Sequence, residues 1–323
     1  MKKLLLLVVV CSATSAFAQP TRTTIQNGTA LSPFTWDCTC IPALTDNIVV
    51  NHTLTLDIDY GAVSGSLTVG AAGSIVGSVP TRIIAVMGSS FVNNGTVTVG
   101  NIYHSADAFT NNGTLTATNL MGINLNAICN NYGTMTINDS LGIDTTAQLH
   151  NFGYLNPFAT FNAGLLMNHL SFTGGDVWST GTFDNLGGGG MSIMNLYTDG
   201  IFANTSFLNV NASLYNSNTF TNTHQIVVDV NLLNGDTING TATFTNSGIV
   251  SVGNDLLNSE TINGTGGKFC VQNQTSNSGA ISGTIDICDL TGGNIDLNIG
   301  TVAGSVTFCS NYCSIGITEN ETS

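Results

Sequence analysis

The chain has 323 residues, 42% of them apolar and only 7% charged, with 37 glycines and five prolines. So much apolar material excludes disorder driven by charge, and 19 acidic residues against five basic ones exclude a surface made for phosphate backbones or anionic lipid. Val, Ile, Thr and Phe dominate while long helical patterns rich in Lys, Glu and Ala are absent, so an all-β class is expected.

In chain order, residues 1–18 read as a secretory signal peptide. Lys2 and Lys3 form the basic start, Leu4 to Val10 the apolar run, and Ala16, Phe17 and Ala18 an A-x-A cleavage site that leaves Gln19 as the first mature residue. Val10 before Cys11 does not fit a lipobox. The apolar run is too short to span a bilayer and no later stretch is long enough, so the expected product is extracellular or at the cell surface, without membrane insertion. Beyond residue 18 the basic residues are Arg22, Arg82 and Lys268, which leaves no basis for nucleic-acid binding.

Residues 19–59 are read as an N-terminal cap with the first strands, 60–310 as one uninterrupted β-helix and 311–323 as a tail. Cysteines gather at the two ends, Cys38 and Cys40 at one, Cys270, Cys288, Cys309 and Cys313 at the other. That placement suits disulfides closing an elongated fold better than it suits zinc. Cys270 and Cys288, 18 residues apart, are an expected pair, and Cys129 the odd buried thiol.

From residue 91 onward one pattern recurs. It reads FVNNGTVTV (91 to 99), FTNNGTLTA (109 to 117), CNNYGTMTI (129 to 137), LHNFGYLNP (149 to 157), LMNHLSFTG (166 to 174), FDNLGGGGM (183 to 191) and FANTSFLNV (202 to 210), with later copies to TSNSGAISG (275 to 283). The period is about 17 to 20 residues, the signature of a solenoid. Strand alternation turns positions one, three, seven and nine inward. A right-handed parallel β-helix follows, with apolar positions as its wall, an inward Asn ladder and, at position five, Gly that permits positive φ at a bend. Some later copies are 12 residues apart, which suggests the same motif on a second face. A sandwich or propeller fits less well, because Pro-rich and charged hairpin turns are scarce.

The segment TWDCTCIPALTDNIVVNHTLTLD (35 to 57) resembles the opening of secreted β-helix proteins of Bacteroidetes type, and SNSGAISGTIDICD (276 to 289) with GTVAGSVTFC (300 to 309) resembles their closing coils. The resemblance implies cargo of the type IX secretion route, adhesin-like, on a pectin-lyase-like fold. Such proteins usually carry a C-terminal sorting domain; the sequence stops at GITENETS (316 to 323), so either another export route or a truncated sequence is expected.

The function expected is that of a structural or adhesin-like solenoid, with polysaccharide or another cell-surface polymer as partner and no cofactor. The candidate binding residues are Tyr132, Phe152 and His169 at position four, Tyr154 and His150 beside them, and Trp178 soon after. Outward aromatic rings offer sugars an apolar platform, although rings laid over the bend would also simply cover the core. Catalysis is not expected. A lyase needs basic groups that are missing, and a glycosidase needs paired carboxylates, for which Asp176, Asp184, Asp199 and Asp229 are the candidates. His52, His104, His150, His169 and His224 suggest no metal set, with only His150, His169 and Asp184 near one diagonal. Outward Thr96/Thr98, Thr114/Thr116 and Thr134/Thr136 raise ice binding as an alternative.

Overall fold

Residues 19–105, 107–235, 241–291 and 295–309 are described in the computed structural model. The expected signal segment and the tail lie outside them. The chain forms a parallel β-solenoid of about 13 turns, with, among the described residues, one short 3-10 turn at Pro33–Thr35. A single coil shows the plan, with Phe91–Asn93 on a first face, Thr96–Val99 on a second and Asn101–Ser105 on a third. Each strand pairs in parallel and in register with its counterpart one coil on, at Phe109, Leu115 and Met121 in the next turn.

In-register stacking converts sequence period into columns. On the first face one inward column runs from Ile48 through Phe91, Cys129 and Phe183 to Phe244 and Ile281, all buried. Its phenylalanines stack, as Phe202 on Phe220 at 4.8 Å and Phe220 on Phe244 at 4.6 Å. Two residues on lies the expected Asn ladder. Asn93, Asn111, Asn131, Asn151, Asn168, Asn185, Asn204, Asn222 and Asn246 each pass a side-chain amide hydrogen to the next, at 2.7 to 2.9 Å. The remaining amide hydrogen serves backbone carbonyls past the corner, as from Asn151 to the Ser171 oxygen at 2.8 Å. Each rung thus ties two coils and satisfies a turn that no strand can reach.

The 12-residue intervals have the expected origin. A second ladder, Asn216 to Asn234, Asn258, Asn277 and Asn298, runs up the third face at 2.7 to 2.9 Å. The motif builds two of the three corners, one from the first face to the second and one from the third to the first.

The role expected for the corner glycine is corrected. Gly95, Gly113, Gly133 and Gly153 are not at positive φ. A Cβ on Gly133 would instead collide with the Gly113 carbonyl oxygen one coil below, and the same holds up the column. Glycine is required there because two backbones approach closely, with no left-handed turn involved.

The ends are closed differently. At the N-terminal end Trp36 is fully buried over the core, with its Nε1–H donating to the Ala30 oxygen at 3.1 Å, while Arg22 pairs with Asp46 at 3.2 Å. Cys38 and Cys40 are joined beside it. At the other end Cys288 is bonded to Cys309, one coil further on, and not to Cys270, although Cys270 stands in register on its other side. A cysteine in a stacked column has a neighbour above and one below, and sequence period alone does not choose between them. Cys129 is the free, buried thiol expected, and burial pushes it well above the usual thiol range.

Candidate functional site

Parallel stacking places equivalent outward side chains directly above one another, so a ring repeated at the coil period meets its own kind. At the corner after the inward Asn, Tyr132 stacks on Phe152 at 5.0 Å and 8°, and Phe152 on His169 at 4.3 Å and 16°. His150 lies tilted beside Phe152 at 6.3 Å, and both burial and the neighbouring His169 lower its pKa. Tyr154, 60% exposed, is on the adjoining second face between Thr134 and Ser171. Trp178 does not belong to this group. It is on the third face, because the second-face strand Ser171–Thr173 and the corner after it separate it from His169.

Phe152, between Tyr132 and His169, has a ring against each of its faces. Rings about 4 to 5 Å apart and nearly parallel cover each other's faces, and a sugar needs a free face. Phe152 has none left. The corner stack is a spine that ties three coils together.

A second aromatic column stands on the third face. Around Trp178 the structure assembles Phe161, Tyr197 and Tyr215, with Phe161 to Trp178 at 4.9 Å, Trp178 to Tyr197 at 5.4 Å and Tyr197 to Tyr215 at 4.7 Å, all within 7° of parallel. In the two preceding coils the same column holds Gly142 and Gly122, and then Tyr103. One face of Phe161 is therefore uncovered, and the ring is 49% exposed. A Cβ on Gly142 would meet nothing nearer than the Met121 oxygen at 4.0 Å. The result is an open cleft of about 490 Å³ whose lining includes Phe161, Trp178, Gly142, Asn124, Asp144 and Thr180. Phe161 and Tyr197 stand outside the recurring pattern because Thr160 replaces its apolar first position in one coil and Thr198 its Asn in the other, whereas Tyr215 is the second residue of a copy, LYNSNTFTN (214 to 222). Their separations from Trp178 and from each other, at the coil period, were the available signal.

The titratable candidates are dispersed. Asp176 is on the third face, hydrogen-bonded to Asn195 at 2.8 Å, and Asp184 is on the first, while Asp199 and Asp229 occupy two different corners. His150 and Asp184 share an outward column with Met167 between them, and burial raises the Asp184 carboxyl. Among the described residues no group of three His, Cys, Asp or Glu is placed to hold a metal ion.

Two buried groups are expected to make the fold acid-sensitive. His104 points into the core above Ile123, and burial lowers its pKa from the ordinary 6.5 against a smaller opposing pull from Asp107. Asp289 is buried at the C-terminal end. Desolvation alone would raise it, but hydrogen bonds from Thr275 at 2.7 Å and from the Thr291 hydroxyl and N–H at 2.7 and 2.9 Å outweigh burial and lower it below 3.8. In both cases the unfolded chain binds the proton more readily, so stability is complete above the ordinary value and is lost as pH falls towards the folded one. The melting temperature is expected to drop in two stages, below about pH 6.5 and again below about pH 3.8. A His104→Leu variant should lose the first stage and keep the second; a profile unchanged from wild type would show that His104 is not responsible.

The fold and its outward columns define the class of this chain as a parallel β-solenoid with stacked aromatic surface ladders. No known protein family, curated protein or solved structure matches it.

Proposed function

We propose that this chain is an exported structural or adhesin-like solenoid, without catalytic chemistry of its own, that engages neutral polysaccharide at the Phe161 cleft. Export rests on the basic, apolar and A-x-A order of the first 18 residues and on the terminal cystines, and a type IX route is what the sequence resemblance implies. One observation carries the ligand reading. The free ring face of Phe161 opens onto bare Gly142, with the amide of Asn124, the carboxylate of Asp144 and the hydroxyl of Thr180 around it. A pyranose offers C–H groups to the ring and hydroxyls to the polar rim. Trp178 behind Phe161 holds the ring in place, so little side-chain freedom is lost on binding. The acidic surface repels uronates and sulfated chains, which favours uncharged polymers.

Affinity electrophoresis of the mature protein through gels containing neutral and anionic polysaccharides tests this. Retardation by a neutral polymer is expected, and both Phe161→Ala and Gly142→Phe, which fills the cleft, should abolish it while the melting temperature moves little. Wild-type mobility unchanged by every neutral polymer, or retardation preserved in both variants, would overturn the proposal.

A further inference from the structure

The second face carries a different surface, remote from the cleft on the third. Five successive coils present outward pairs in unbroken register: Thr53 and Thr55, Ser74 and Val76, Thr96 and Thr98, Thr114 and Thr116, Thr134 and Thr136. Eight of the ten positions are Thr and none is charged. The positions between them are buried, with Leu54, Ile75, Val97, Leu115 and Met135 underneath. The residue before the first of each pair is glycine in four of these coils, Gly73, Gly95, Gly113 and Gly133, so no side chain stands at that edge in those four. Strand pairing shows no register shift within the array; the first on these strands falls after Ile137. Tyr154 ends it in the next coil.

We propose that this net of threonines is an ice-binding surface. Strands stacked about 4.8 Å apart, with outward residues about 6.8 Å apart along each strand, set hydroxyls and methyls on a flat rectangular grid. Those two repeats lie close to the oxygen spacings on a prism face of hexagonal ice. Thr is β-branched and restricted at χ1, so the grid exists before water arrives and little entropy is lost in ordering it. The methyls fill gaps between ordered waters while the hydroxyls join their hydrogen-bond network. Nothing here suits a sugar. The array offers no ring face, and its outward pairs run side by side in columns with no polar groups converging on one point.

The test is partition of the purified mature protein into slowly grown ice, with ice-recrystallisation inhibition on the same sample. Wild type is expected to enter the ice and Thr116→Lys, inside the net with Thr98 and Thr136 on either side, to lose partition about tenfold or more. Asn209→Lys, outward on the same face beyond Tyr154, and Phe161→Ala, in the cleft, should behave as wild type. Exclusion of the wild type from ice, or undiminished partition by a Thr116→Lys protein with normal melting, would overturn the proposal. Neither result bears on polysaccharide binding, which is read from Phe161→Ala in gels.

Discussion

Replacing Asn151 by Leu is expected to cost about 3 to 5 kcal/mol of folding stability, far more than any surface change. Asn151 accepts from Asn131 at 2.7 Å, donates to Asn168 at 2.8 Å and donates to the Ser171 carbonyl at 2.8 Å, all away from water. Leu has nearly the same volume, so packing loss is small. The cost arises because three buried groups lose a partner at once, each worth about 1 to 3 kcal/mol when left unsatisfied, with some relief from other bonds such as that of Asn131 to the Tyr154 oxygen. Because each coil contacts mainly its neighbours, the lesion should also divide unfolding into two transitions, one on each side of coil 149 to 162. Denaturant melts followed by tryptophan fluorescence are informative here, since Trp36 and Trp178 report on opposite sides of the lesion. Asn94→Leu is the control. Asn94 is exposed and accepts one bond from Asn112 at 2.8 Å, so its loss should stay within about 0.5 kcal/mol. Equal costs for the two variants would show that the ladder is decoration.

Gly133→Ala is expected to cost about 3 kcal/mol, whereas Gly142→Ala, nine residues later, should be neutral or stabilise by about 0.5 kcal/mol. The chemistry of the two changes is identical and only the surroundings differ. At Gly133 the new methyl meets the Gly113 carbonyl and the Asn112 backbone, neither of which can move without parting two coils. At Gly142 the methyl enters open space, and the unfolded chain loses freedom that the folded one never used. Thermal melts of the two variants settle the matter. A neutral Gly133→Ala would mean that the coils are spaced more loosely than their strand pairing implies.

The local pattern of the sequence already determined a good deal. Apolar, Asn and Gly positions recurring at the coil period determine an all-β solenoid, because a strand alternates sides every residue and one coil must repeat what its neighbour can stack on. The inward Asn, the second use of the motif on another face, the in-register threonines and the inward position of Cys129 all follow from that rule. The stacking of Tyr132, Phe152 and His169 follows too, since they share one motif position.

What alternation and period leave undetermined is how many residues each corner consumes and what lies one coil away. Coil length varies between 17 and 24 residues along the ladder, so a position is assigned to a face only when the corners close in space. For that reason Trp178 fell to the third face, away from His169, and met Phe161, Tyr197 and Tyr215. Close approach of backbones at Gly133 and the choice of Cys309 over Cys270 by Cys288 likewise depend on neighbours in the next coil. The open face of Phe161 is the clearest case. It exists because two glycines far away in sequence, Gly122 and Gly142, occupy the places where stacked rings would otherwise continue, and only tertiary stacking brings that vacancy beside the ring.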